Sequence, residues 1–174
     1  MDSLRAFVRG GGTLIAFNET AATLVPMLSL PVSNVLENVK SDKFFCSGAL
    51  LRVELSSTDR PVTWGLPSEP VVMFEHGPAF STGANFHGAV LARYPEDSNP
   101  LESGLLLHPE AIESKIAALE VPYGSGRIFL YGFKPQWRGQ SHGDYKFFFN
   151  ALYKYEQPPF AKPPAEEKKD AKAE

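Results

Sequence analysis

The chain of 174 residues has a single cysteine, Cys46. That excludes an internal disulfide and any zinc cluster built on several thiolates. No apolar run approaches the ~18 residues of a membrane-spanning helix, so no membrane partner is expected. Charge of one sign is also lacking: Lys and Arg total 17 against 20 Asp and Glu, a formal net charge of −3. The chain therefore carries neither the basic footprint of a nucleic-acid binder nor a polyanionic character. Its four histidines, His76, His87, His108 and His142, include no pair at zinc-ligand spacing, and neither a metal nor another cofactor is expected. Met1 leads directly into Asp2 and a helical pattern rather than a basic and then apolar leader, so the chain reads as soluble and without an export signal of its own. There is no internal repeat.

What is present is enough apolar content, 43% of residues, for the core of one domain. Residues 1–156 read as that domain. Residues 157–174 mix charge with Pro and Ala and lack an apolar face, which predicts a disordered tail.

The stretch 124–155 organises the rest. Gly124 and Gly126 mark a turn, and residues 127–133 (RIFLYGF) form an apolar, aromatic and β-branched run suited to a buried strand. The polar segment 134–143 comes next, and then Asp144 is placed to cap a helix with Phe147, Phe148, Leu152 and Tyr155 at helical spacing. Residues 115–121 pair with the anchor strand as a hairpin. Upstream, residues 2–9 predict a helix with Leu4, Phe7 and Val8 on one face, stopped by Gly10–Gly12, and TLIAF at 13–17 a buried strand. Asn18 reads as the cap of a helix holding Ala21, Ala22, Leu24 and Val25, and residues 34–39 as a further helical turn. Residues 49–55 alternate strictly, with Leu51, Val53 and Leu55 opposite Arg52 and Glu54, which predicts one half-exposed strand. Residues 58–70 read as a packed surface loop around Trp64, residues 71–74 and 89–94 as strands, and 109–114 as a short helix with proline first.

The place just past the anchor strand reads Phe133, Lys134, Pro135, Gln136. It resembles the Phe-His-Pro-Glu motif with which class I glutamine amidotransferase-like domains supply the histidine and acid of their triad. Lysine cannot act as the imidazole relay, nor glutamine orient one as a carboxylate does. Longer strings, RAFVRGGGTLIAF, FFCSGALLRVEL, ARYPE with NPLESG, and GRIFLYGFKPQWRGQSHG with FFFNALY, resemble the amidotransferase-like region at the C-terminus of certain bacterial zinc carboxypeptidases. The resemblance implies an α/β fold: a partial amidotransferase-like (flavodoxin-like) sheet flanked by helices, its N-terminal strands missing, closing with a β-hairpin and helix. It also implies that the nucleophile's elbow lies before residue 1. Related full-length proteins usually carry export signals, so the compartment stays open.

Other candidate sites have plainer explanations. His108-Pro109-Glu110 repeats the amidotransferase triplet, but two strand candidates come after it, and Pro and Glu suit the first turn of a helix. Cys46 is followed by Ser47, Gly48 and a strand rather than a helix, which predicts a structural thiol rather than a nucleophile. The most site-like group is Lys134, Gln136, Trp137, Arg138 and His142, which brings positive charge, amide donors and an aromatic surface to one loop for a ligand or partner. His142 and Asp144 are expected to fix that loop by hydrogen bonds. The expected function is a non-catalytic accessory domain that packs on a peptidase domain or neighbouring subunit; the alternative is a small-molecule or carbohydrate-binding module. An open sheet edge would also allow self-association and low stability.

Overall fold

The computed structural model describes residues 2–153; the tail expected at 157–174 and Tyr155 lie outside the described residues. Among the described residues three α-helices and ten strands are arranged in the order α1 (Asp2–Arg9), β1 (Thr13–Phe17), α2 (Asn18–Met27), β2 (Val32–Asn34), β3 (Ala49–Arg52), β4 (Glu54–Leu55), β5 (Val71–Phe74), β6 (Phe80–Thr82), β7 (Ala89–Arg93), β8 (Leu101–Gly104), β9 (Ile116–Tyr123), β10 (Gly126–Tyr131) and α3 (Tyr145–Leu152). The larger sheet runs β1-β10-β9-β6-β2, with β7 also on β9 and β4 on β7. Within it β1 and β10 are parallel, from Thr13 opposite Arg127 to Phe17 opposite Tyr131. A second, antiparallel sheet has the order β5-β3-β8.

Period-two alternation in β10 sorts the core into two layers. Ile128 and Leu130 face α1 and α2, where Val8, Ala21, Leu24 and Val25 are buried. Phe129 and Tyr131 face the other way, into a core shared by α3 (Phe147, Ala151) and the small sheet (Leu51, Val72, Phe74). This is a mixed α/β fold with sheets flanked by helices, and the β9–β10 hairpin and closing helix stand as the sequence predicts. Tyr131 fixes α3 directly by donating its hydroxyl to the carbonyl of Phe147 at 2.8 Å.

Several local expectations are corrected. The alternating run 49–55 is two strands in two sheets: β3 pairs with β5 and β8, while β4 pairs with β7. Alternation sets which side chains are buried but not which sheet holds the backbone. Residues 34–39 are not helical; Val32–Asn34 is a strand pairing with β6, and the Asn34 carboxamide then accepts from Leu36 N–H at 3.1 Å as a local turn. Phe7 and Leu152 are exposed rather than core-facing.

Candidate functional site

The carboxyl ends of β1 and β10 lie side by side because these strands are parallel, so the segments leaving Phe17 and Tyr131 emerge at one place. No loop residues separate β1 from α2, so the chain must reverse sharply. It does so at Asn18, whose φ is 50°. Asparagine tolerates this left-handed geometry better than most residues. Its side chain does not cap α2; it turns inward and donates from Nδ2 to the Glu75 carbonyl at 2.9 Å. Asn18 is 7% exposed, and its Oδ1 has no partner among the described residues. A strand running straight into a helix through a left-handed residue is the geometry of a nucleophile elbow. A turn of that shape stands at Asn18, with a carboxamide at its apex.

Two glycines press the neighbouring loops against this turn. A Cβ on Gly77 would stand 2.0 Å from the Gly132 carbonyl oxygen and 2.6 Å from Asn18 Oδ1; one on Gly132 would stand 2.1 Å from the Pro78 carbonyl oxygen. Only backbones without side chains approach so closely. Loop 75–78 and the end of β10 are thus held together, and Lys134 N–H bonds to the Met73 carbonyl at 2.9 Å.

Lys134 then pairs with the Glu75 carboxylate. The lysine's hydrogen bond and its charge hold the Glu75 carboxyl below the usual carboxylate range. The same ammonium lies 4.1 Å from the Trp137 ring centroid, with the Arg138 guanidinium at 5.2 Å from that ring. A hollow of about 520 Å³ opens here, lined by Asn18, Glu75, His76, Lys134, Gln136 and Trp137 among others. Beyond Trp137 a second hollow of about 370 Å³ includes Arg138, Gln140, Ser47 and Ser103. Of the five residues the sequence singles out, Lys134, Gln136 and Arg138 therefore gather around Trp137. His142 borders neither hollow and packs edge-on against Tyr145, ring centroids 5.3 Å apart. Asn18, Glu75 and His76 are members that sequence reasoning missed.

Asp144 holds the N-cap position of α3, but its side chain makes no capping hydrogen bond. Fully buried, it accepts from Ser141 Oγ at 3.1 Å rather than from His142, and its Oδ1 has no partner among the described residues. Burial raises its carboxyl to about 8, against smaller opposing contributions from Ser141 and the Met73 backbone. A carboxyl raised on folding favours the native state fully below its unfolded pKa and loses that contribution as pH climbs through the folded value. The fold is accordingly expected to lose several kcal/mol, about 5 at most, between pH 4 and pH 8. Urea unfolding should show this slope in the natural chain and a flatter one in Asp144→Asn; identical slopes would contradict it.

The other chemistry-bearing candidates stand apart and are satisfied locally. Cys46 is buried, its thiol 4.0 Å from the Phe74 carbonyl oxygen, and burial pushes its pKa up. His108 is exposed and its Nδ1 lies 3.0 Å from Glu110. No group of three or more His, Cys, Asp or Glu among the described residues is arranged to hold a metal ion, and no helix there is long and apolar enough to cross a membrane.

The fold has counterparts among solved structures. PurLQS from Thermotoga maritima superposes with a TM-score of 0.57 at 14% identity, over 86% of this chain and 65% of its own. Cytoplasmic protein STM3548 from Salmonella typhimurium gives 0.51 at 15%, over 87% and 58%. The β-galactosidase from Bacillus circulans sp. alkalophilus gives 0.51 at 11%, over 86% and 20%. The chain spans less than two thirds of each. At such identities the likeness establishes an amidotransferase-like α/β fold and leaves chemistry to be argued from this chain's own residues. No protein-family model matches the sequence, and no curated protein sequence does.

Proposed function

We propose that this chain is a non-catalytic accessory module: an amidotransferase-like domain that docks on a neighbouring domain through the loop around Trp137, and whose long strings point to a zinc-carboxypeptidase-type peptidase as that neighbour. What supports the first part is the ion pair of Lys134 with Glu75. Lys134 stands where the resembled Phe-His-Pro-Glu motif has its histidine, and the nearby strand-to-helix turn carries Asn18, which has neither thiol nor hydroxyl. A carboxamide is not a nucleophile, and an ammonium held by a carboxylate is a poor base. What supports docking is the loop's composition: an aromatic ring flanked by two cations, with Arg138 and Gln140 exposed, is the kind of surface enriched in interface anchors.

The test is sedimentation of the full chain with the peptidase domain of a bacterial zinc carboxypeptidase that bears the matching C-terminal strings. Association is expected, weakened about tenfold or more by Arg138→Ala. No association, or association indifferent to Arg138→Ala and Trp137→Ala, would overturn the docking role.

A second reading, small-molecule or carbohydrate binding, is favoured by the hollow beside Trp137 with the Gln136 and His76 side chains at its wall. It requires a rise in Tm with a sugar, amino acid or short peptide that disappears in Trp137→Ala. A flat response across all three ligand classes would dismiss it.

A further inference from the structure

We propose that two copies of this chain join through the outer edge of β1, antiparallel about a twofold axis passing by Ile15, to give one sheet continuous across both. The ladder with β10 fixes which backbone groups point outward. Arg127 N–H donates to the Gly12 carbonyl, and in the parallel register from Thr13 opposite Arg127 this turns the polar groups of residues 12, 14 and 16 toward β10. Those of Thr13, Ile15 and Phe17 face away, where no described strand pairs with them.

That outward edge is self-complementary. Centred on Ile15, an antiparallel partner places Ile15 against its own copy and Thr13 against the partner's Phe17, all as hydrogen-bonded pairs, with about six bonds in all. Thr13–Phe17, TLIAF, contains no charge and no proline, so it has none of the side-chain devices that keep an edge strand solitary. The twofold axis stands perpendicular to the sheet, so each face meets its own kind: α1 side to α1 side, α3 side to α3 side. Exposed apolar side chains lie along both. Phe7 on α1 is 57% exposed and Leu152 on α3 is 55% exposed, and both border a hollow of about 690 Å³ beside Thr13 and Ile15. A second copy seated on this edge would cover them.

Sedimentation of the full chain across a hundredfold range of concentration, paired with residue-resolved amide exchange, tests this. A monomer–dimer equilibrium is expected, in which the amides of Thr13, Ile15 and Phe17 gain protection on dimerisation while Leu14 and Ala16 are protected throughout. Thr13→Lys, at an exposed position, should weaken dimerisation by about tenfold or more while leaving the monomer's melt unchanged. A chain monomeric at every concentration overturns the proposal. So does a dimer whose Thr13, Ile15 and Phe17 amides exchange freely, or protection of those amides that persists in the dilute monomer, which would mean that the chain's own residues 154–174 cover the edge.

Discussion

Glu120→Ala is expected to destabilise the fold by about 3 kcal/mol or more. Glu120 sits in the middle of β9, fully buried, and accepts from Arg127 Nη1 at 2.6 Å and from Arg60 Nη1 at 3.3 Å. Burial raises its carboxyl pKa, and the two guanidiniums, Arg127 more than Arg60, draw it back. The buried anion is thus held in the sheet by its arginines. Removing the carboxylate takes from two guanidiniums, one of them on Arg60 at 7% exposure, a charge partner that lies inside the fold. Urea unfolding at pH 7 should show a lower midpoint with little change in slope. A loss below about 1 kcal/mol would mean that the arginines are solvated or re-paired without it.

Gly77→Ala is the second large effect. The added methyl would begin 2.0 Å from the Gly132 carbonyl oxygen and 2.6 Å from Asn18 Oδ1, far inside contact distance, and both obstacles are held by strand or turn. Loop 75–78 must move, taking with it the Glu75 carbonyl to which Asn18 donates and the carboxylate that pairs with Lys134. A loss of about 3 kcal/mol is expected, with backbone shifts at Asn18 and Lys134 visible by NMR. Gly143→Ala, whose methyl would meet nothing within 4 Å, serves as the control and should change stability by less than about 0.5 kcal/mol. Equal behaviour of the two variants would contradict the close approach on which the cleft depends.

The parts of the fold legible in the sequence are those where one local signal suffices. The β9–β10 hairpin carries apolar runs on both sides of a Tyr-Gly-Ser-Gly turn, and β1 is an apolar run behind a glycine stop. Less legible was anything decided by a distant strand. The run 49–55 has faultless alternation, yet Val53 is where the chain leaves one sheet for the other, and period two cannot report that. Strands β6 and β8 are short, three and four residues, and rest on cross-strand partners rather than on their own propensity.

Within the cleft, Lys134, Gln136, Trp137 and Arg138 were readable from one loop because they are sequential. Asn18, Glu75 and His76 come from two other segments that only the parallel β1–β10 pairing and the Gly77–Gly132 contact bring in. Asn18 reads as a cap for a chemical reason: asparagine before a helical pattern is the usual one. A signal was nevertheless available. TLIAF passes into a helical pattern with no residue to spare, and a strand that enters a helix without a loop needs a left-handed turn at the junction, where asparagine is one of the tolerated residues.

The proposal that this amidotransferase-like domain is non-catalytic places its weight on the cleft around Asn18 and Lys134. It is tested most directly by incubating the full chain with glutamine, and separately with zinc and a set of short peptides, while monitoring ammonia and free C-terminal amino acid. Release at the rate of the buffer alone is expected in every case. Release above that rate, abolished by Lys134→Ala or Asn18→Ala in a protein that still melts cooperatively, would contradict it.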